Sequence, residues 1–299
     1  LLSKQVEIMP LKLPLILGHR GNRKEHGYEN TLEAMEFASQ NADGFETDIV
    51  LSKDGEICVI HDTFYTGHEA HYELNIRLDE ASKKLTSNRR IDEMDRKEIN
   101  SLRLINGATI PDLPDLKHLI RQHPDKIANI ELKVPNSGCK IIKQIPDMDN
   151  YFISSFNHSE LLRVRESCPK TKLGALFEPS NTAGCKMYPW DQNCTDDYIP
   201  FSPDAVRSDI LRQINPNYFH INEYDLRPEI VRDIVTLYPN SKIVIWWYFP
   251  EPPPERNTNL IHKLHHLHRE GLWESLHAII SDYPAAMKKM IEKQFGGEK

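Results

Sequence analysis

The chain has 299 residues, a length that suits one large domain or two average ones. Its 37 basic and 44 acidic residues leave a net charge of −7. That balance argues against a nucleic-acid binder, which presents a basic face to phosphate, but not against a small anionic substrate held by local cations or a metal. With 39% apolar and 27% charged residues the composition is that of a folded chain, and no apolar run approaches the ~20 residues needed to cross a membrane.

In chain order, residues 15–17 read as a strand and 30–39 as a helix with Leu32, Met35 and Phe37 apolar. Residues 45–51 form the next strand, and 56–60 extend after the turn at Asp54-Gly55. A helix at 113–122 precedes a strand at 127–134. Strands follow at 151–154, 173–176 and 218–221, with a helix at 159–166. The helix at 228–237 has Pro228 in its first turn, where proline is tolerated. A strand at 243–247, a helix at 259–269, a strand at 278–280 and a helix at 284–293 complete the series. Strands alternating with helices predict a parallel sheet. About eight such units in this length predict a single (β/α)₈ TIM barrel over residues 1–299, with an open doubly wound sheet as the alternative.

Three stretches depart from that pattern. Residues 61–107 are long, charged and amphipathic, and read as an inserted small subdomain. Residues 178–203 read as a long loop. Glu251-Pro252-Pro253-Pro254-Glu255 reads as a stiff connector. The five cysteines, Cys58, Cys139, Cys168, Cys185 and Cys194, are an odd, sparse set that suits thiols in a reducing compartment. Only Cys185 and Cys194 are near enough in one loop to be weighed as a disulfide. The stretch before residue 17 carries Lys4, Glu7 and Lys12 and lacks an unbroken apolar core, so a cytoplasmic location is expected.

Side chains alternate along a strand. Between residues 45 and 51, Phe45, Ile49 and Leu51 share one face and Glu46 and Asp48 the other. Between 127 and 134, Asn129, Glu131 and Lys133 oppose Ala128, Ile130, Leu132 and Val134. A barrel strand turns its apolar face to the helices, so the charged sets point into the barrel. Buried carboxylates are costly unless paired or bound to metal, and three of them suit a hard cation. His19 and His61 each follow an apolar strand directly, at the end where barrel active sites are built. Two imidazoles suit acid–base chemistry near neutral pH, and Arg20 and Lys133 suit an anion. The set reads as metal-assisted hydrolysis of a phosphate ester.

His19-Arg20-Gly21, Glu29-Asn30-Thr31, Glu46-Thr47-Asp48, Lys53-Asp54-Gly55 and His61-Asp62 resemble, in order and spacing, the signature of the glycerophosphodiester phosphodiesterase family. Ile110-Pro111-Asp112-Leu113, Glu131-Leu132-Lys133, Ser154-Ser155-Phe156-Asn157 and Ser281-Asp282-Tyr283-Pro284 extend the resemblance to nearly the whole chain. It implies a barrel of the phospholipase-C-like phosphodiesterase type, with a small insertion after the second strand at about residues 62–107. It implies a divalent cation, Mg²⁺ or Ca²⁺, held by Glu46, Asp48 and Glu131. His19 and His61 would be the acid–base pair, His19 the base and His61 the acid. Arg20 and Lys133 would face the phosphate, with Phe156 and Trp246 also binding substrate; Glu29 would brace Arg20. The implied reaction releases glycerol 3-phosphate and an alcohol.

One departure concerns the strand near Ile243. The family pattern Trp-Thr-Val-Asn is here Trp246-Trp247-Tyr248-Phe249, and the triple-proline loop follows it directly, with Pro250 and Glu251 before the three prolines. This leaves the alcohol group open and admits a lysophospholipid in place of a deacylated substrate. The alternatives are a phospholipase-D-type enzyme acting on lysophospholipid or sphingolipid, and a barrel used only for binding. A Zn²⁺ site on His262, His265, His266 and His268 is a further alternative, opposed by the plainer reading of an exposed polar helix face.

Overall fold

The eighth strand returns to the first. In the computed structural model, which describes residues 11–25, 28–61, 78–86, 89–145, 148–181, 185–186, 197–247 and 251–296, eight parallel strands close into a barrel. They are β1 (Leu15–Gly18), β2 (Gly44–Leu51), β3 (Ile127–Leu132), β4 (Tyr151–Ser155), β5 (Leu173–Leu176), β6 (Tyr218–Asn222), β7 (Lys242–Trp246) and β8 (Leu276–Ser281). β1 pairs with β8 from Leu15↔Ala278 to Gly18↔Ser281, and with β2 at Leu17↔Gly44 and Gly18↔Phe45. Closure on both sides of β1 excludes an open doubly wound sheet. A short strand, Ile57–Val59, folds back antiparallel on β2 where the sequence suggested an extension.

Helices alternate with the strands. Leu113–Gln122 and Pro228–Leu237 fall where their patterns place them. The first helix starts at Leu32 rather than at residue 30, because Asn30 is left-handed (φ 55°) and Thr31 is the cap, its hydroxyl accepting from the Ala34 amide. Asp112, Asn157 and Asn257 cap three other helices in the same way. The helices Gly138–Gln144 and Asp209–Ile214 have seven and six residues, too short to show the repeated apolar spacing that marks a helix in sequence.

The outward faces of the strands, with Ile16, Phe45, Ile49, Ile130, Ile153, Phe219, Ile245 and Ile279, form one apolar core with the surrounding helices. Inside the barrel, Leu17, Phe152, Val244, Ala278 and Ile280 pack together. A second core lies over the back of β2. Val50, Cys58 and Ile60 meet Leu78, Ile91, Met94, Ile99, Leu102 and Leu104 there, so the inserted stretch carries its own apolar cluster. Arg96 links it to the segment before the Leu113–Gln122 helix, donating to the Ile110 carbonyl at 2.8 Å. Cys58, Cys139 and Cys168 are free thiols. Cys194 lies outside the described residues, and with it the weighed pairing to Cys185.

Two histidines occupy the barrel interior. Gly174 makes room for His220, since a Cβ there would lie 2.4 Å from the His220 Nε2. The β7–β8 register shifts by one residue between Ile243↔Leu276 and Val244↔Ala278, leaving His277 as the extra residue. Its ring stacks on Tyr218 at 4.4 Å. Burial depresses the His220 pKa to about 3, helped by His277, and that of His277 to about 4, helped by Lys12, Lys172 and Lys242. Both groups are therefore neutral in the folded protein at pH 5, whereas an unfolded chain protonates them below about 6.5. Stability is present in full above that pH and drains as pH falls toward the folded values, by up to about 1.4 kcal/mol per pH unit for each group. Urea midpoints should fall between pH 7 and pH 5, and fall less in His220→Leu; an identical fall in both would remove His220 from the effect.

Candidate active site

His19 and Arg20 sit on a tight turn beyond β1. Arg20 (φ 51°) and Gly21 (φ 80°) are both left-handed, and a Cβ on Gly21 would lie 2.6 Å from the Met35 amide nitrogen. Only glycine fits the last position of His-Arg-Gly. The turn is fixed to β2. The Arg20 amide donates to the Glu46 carboxylate at 2.8 Å and the Gly21 amide to the Glu46 carbonyl at 2.9 Å.

Glu29-Asn30-Thr31 divides its work by residue. Glu29 accepts from the Arg20 guanidinium at 2.6 Å and pairs with Arg23 at 2.9 Å, which is a bracing position. Asn30 donates its side-chain N–H to Asp48 at 3.0 Å. Its side-chain oxygen accepts from the Thr47 hydroxyl at 2.8 Å and from the Asp48 amide at 3.1 Å. Thr31 caps the following helix.

The carboxylates converge as the strand alternation predicts. Glu46 faces Asn129 and Asp48 faces Glu131 across the β2–β3 ladder. Glu46, Asp48 and Glu131 are 2%, 1% and 7% exposed, and each offers an oxygen within 4.8 Å of the others. Lys133 hydrogen-bonds Glu131, lies 3.3 Å from Asp48 and sits 5.8 Å from the centre of the Phe156 ring. Burial opposes ionisation of Asp48, but the charges of Lys133, His61 and Arg20 and the Asn30 hydrogen bond outweigh it and hold its carboxyl well below the usual range. Glu46 goes the other way. Burial and the charges of Asp48 and Glu131 push its pKa far up, and its Oε1 has no hydrogen-bond partner among the described residues. A carboxylate trio with an unsatisfied buried oxygen fits a hard divalent cation.

The two histidines flank this trio. The His19 ring shares its Nδ1 hydrogen bond with Asp282 at 2.6 Å. His61 follows the Ile57–Val59 strand; the neighbouring Ile60 amide donates to the Asp48 carbonyl at 3.0 Å. Trp246 meets Phe156 edge-to-face at 5.7 Å. It also lines a small cavity with His19, Trp247, Glu251, Ile280 and Asp282. His19, Arg20, Glu46, Asp48, His61, Glu131, Lys133, Phe156 and Trp246 thus all stand toward the C-terminal ends of the barrel strands or just beyond them.

Two further residues belong to this end. Asp282, read from sequence only as part of a motif, is the hydrogen-bond partner of His19. Its signal is one of register: Gly18 faces Ser281, so the residues that follow them are neighbours. Glu251 was read as part of a rigid connector, yet it is 5% exposed. It accepts from the Ser281 hydroxyl at 2.7 Å and from the Asp282 amide. The histidine-rich helix disperses instead. His265 packs on Phe295 at 4.6 Å, His268 on Trp273 at 5.7 Å, and His266 lies 3.8 Å from Glu270. Among the described residues only the carboxylate trio is arranged to hold a metal.

The sequence profile of the glycerophosphoryl diester phosphodiesterase family matches residues 19–194. The glycerophosphodiester phosphodiesterase of Caldanaerobacter subterraneus subsp. tengcongensis is 33% identical over 175 residues, 55% of this chain and 67% of that protein. That of Bacillus altitudinis is 33% identical over 172 residues, covering 54% of this chain and 65% of the relative. Each match thus spans about two thirds of the relative's length. Two solved structures share the fold. The glycerophosphodiester phosphodiesterase of Thermotoga maritima superposes with a TM-score of 0.61 at 22% identity, covering 93% of this chain and 99% of that one. An Oleispira antarctica phosphodiesterase in complex with its product sn-glycerol-3-phosphate gives 0.64 at 20% identity, covering 94% and 97%.

A closed (β/α)₈ barrel with this site and these relatives is a phosphoric diester hydrolase. Within that class, the chain belongs to the glycerophosphoryl diester phosphodiesterase family.

The bracing position of Glu29 carries a test. Glu29→Ala should destabilise the fold by on the order of 3 kcal/mol, because it leaves the buried Arg20 and Arg23 cations undercompensated. Denaturant unfolding measures the loss; a change within the error of the method would show that Glu29 is dispensable to both cations.

Proposed function

We propose that the protein hydrolyses glycerophosphodiesters to glycerol 3-phosphate and an alcohol, the whole chain acting as one barrel domain. The observation that carries this reading is the convergence of three buried carboxylates with the His19–Asp282 pair at one barrel end. The product held by the Oleispira antarctica phosphodiesterase is in keeping with it.

Glu46, Asp48 and Glu131 would hold the divalent cation, Mg²⁺ or Ca²⁺. When bound, it supplies Lewis-acid charge at the phosphoryl oxygens. Lys133 and Arg20 add positive charge toward the same oxygens. Asp282 accepts a hydrogen bond from the His19 Nδ1–H, which leaves Nε2 as the basic nitrogen. His19 then takes the proton from the attacking oxygen, either water or the neighbouring glycerol hydroxyl. His61, whose charge acts on Asp48, gives a proton to the departing alcohol, which would otherwise leave as an alkoxide. Phe156 and Trp246 form an apolar wall for the glycerol carbons.

Chelation should abolish turnover, and Mg²⁺ or Ca²⁺ should restore it. Glu131→Gln should bind the ion more weakly in a direct titration, because it removes one of three anions. Full activity in metal-free protein would end the metal reading. A panel of glycerophosphocholine and lysophosphatidylcholine separates the deacylated substrate from the lysophospholipid alternative.

His19→Ala and His61→Ala should each lose at least ~10²-fold in kcat while remaining folded, the lower range for a general acid or base. A nitrophenyl diester, whose phenolate leaves without a proton, should rescue His61→Ala more than His19→Ala. The opposite pattern would exchange their roles. Near-normal turnover by either variant on the natural substrate would remove that histidine from the reaction.

A further inference from the structure

Before the helix Thr258–Arg269, the segment from Glu251 lies against the end of β8. Three consecutive prolines, Pro252 to Pro254, stiffen the segment; each has a fixed φ and no amide proton. Just before them, Glu251 turns inward and is nearly sealed from water. One carboxyl oxygen takes the Ser281 hydroxyl and the other the Asp282 amide. Ser281 in turn accepts from the Tyr283 amide at 3.0 Å, and the His19 amide donates to the Ser281 carbonyl at 2.8 Å. The peptide that carries Asp282 is therefore gripped on one side by Glu251 and on the other by the His19 backbone.

From this geometry we infer that Glu251 is a positioning residue for the acid–base histidine: it fixes Asp282, which fixes the ring of His19. The inference rests on the proposed role of His19. Were both ionised, the Glu251 and Asp282 carboxylates would repel each other. Burial resolves this by lifting the Glu251 pKa to about 8, while the His19 hydrogen bond and the charges of His19, Arg23 and Arg20 overcome burial and hold that of Asp282 down. Glu251 thus stands neutral near pH 7, and the negative charge stays on Asp282, where the imidazole needs it. The proline loop is more than a connector; it delivers a carboxyl group to the back of the site.

The test compares wild type, Glu251→Ala, Glu251→Gln, Glu251→Asp, Asp282→Ala and the double variant Glu251→Ala/Asp282→Ala, with divalent ion at saturation. Turnover of glycerophosphocholine is measured alongside the low-field proton resonance of the His19 Nδ1–H. Glu251→Ala should lower kcat about tenfold, the lower range for a group that orients a ligand or catalytic side chain from behind, with little change in KM. Glu251→Gln, isosteric with the neutral acid, should recover most of that loss. The double variant should be no slower than Asp282→Ala alone, since the two residues act through one path. The His19 resonance should shift or broaden in Glu251→Ala and return in Glu251→Gln. Should Glu251→Ala fail to fold, Glu251→Asp, too short to reach both partners, should show the same kcat loss and the same shift. Additive losses, or an unmoved resonance, would overturn the inference. If wild type turns over no glycerophosphodiester, the proposed function fails, while the resonance still decides whether Glu251 positions His19.

Discussion

Three carboxylates buried within one small volume repel each other, and much of the active end is arranged around that repulsion. Glu46, Asp48 and Glu131 share Lys133, and Asp48 is further held by Arg20, His61 and Asn30. The compensation is uneven. Asp48 is kept ionised, whereas Glu46 is driven toward its neutral form and keeps one oxygen unsatisfied among the described residues. The protein alone thus leaves an electrostatic deficit that a further cation would fill, and the three carboxylate oxygens that create it favour a hard one.

The same constraint explains why the supporting residues are so dense. Arg20 can face Asp48 only because the left-handed turn at Arg20-Gly21 brings its backbone against Glu46, and because Glu29 holds its guanidinium. Asn30 reaches Asp48 from a second left-handed position, immediately before a helix cap. Strained backbone and buried polar contacts therefore cluster where charge must be held in place. The opposite end of the barrel interior is different in kind: Phe152, Tyr218, His220 and His277 fill it with rings, and both histidines are neutral.

The extent to which this was legible in sequence differs from residue to residue. The trio was legible because period-two alternation carries it: Glu46 and Asp48 in one strand, Glu131 in another, each opposite an apolar face. His19 and His61 were legible as strand-end residues, and the family resemblance added their roles. Asp282 was visible as part of a motif, but its pairing with His19 depends on the register of a strand nearly the whole chain away. Glu251 was less legible still. A glutamate beside three prolines carries the pattern of a solvated connector, and only tertiary packing buries it. His277 turns inward through a register shift, which periodicity does not encode. The first helix begins two residues later than its apolar pattern suggests, because Asn30 is left-handed and bonds Asp48 instead of continuing the helix.

The seam where β1 meets β8 has a consequence for the order in which the site comes into being. Everything that gathers the three carboxylates and Lys133 lies between residues 15 and 133, in strands that pair side by side. The partner of His19, and the carboxyl behind it, lie at residues 282 and 251. During synthesis from the N-terminus, the carboxylate half of the site is encoded and emerges first. The His19 ring meets its carboxylate partner only when the last strand docks and the barrel shuts. The chain order thus supplies the anionic cluster before the carboxylate that aligns the His19 imidazole, and ring closure is the event that joins the two.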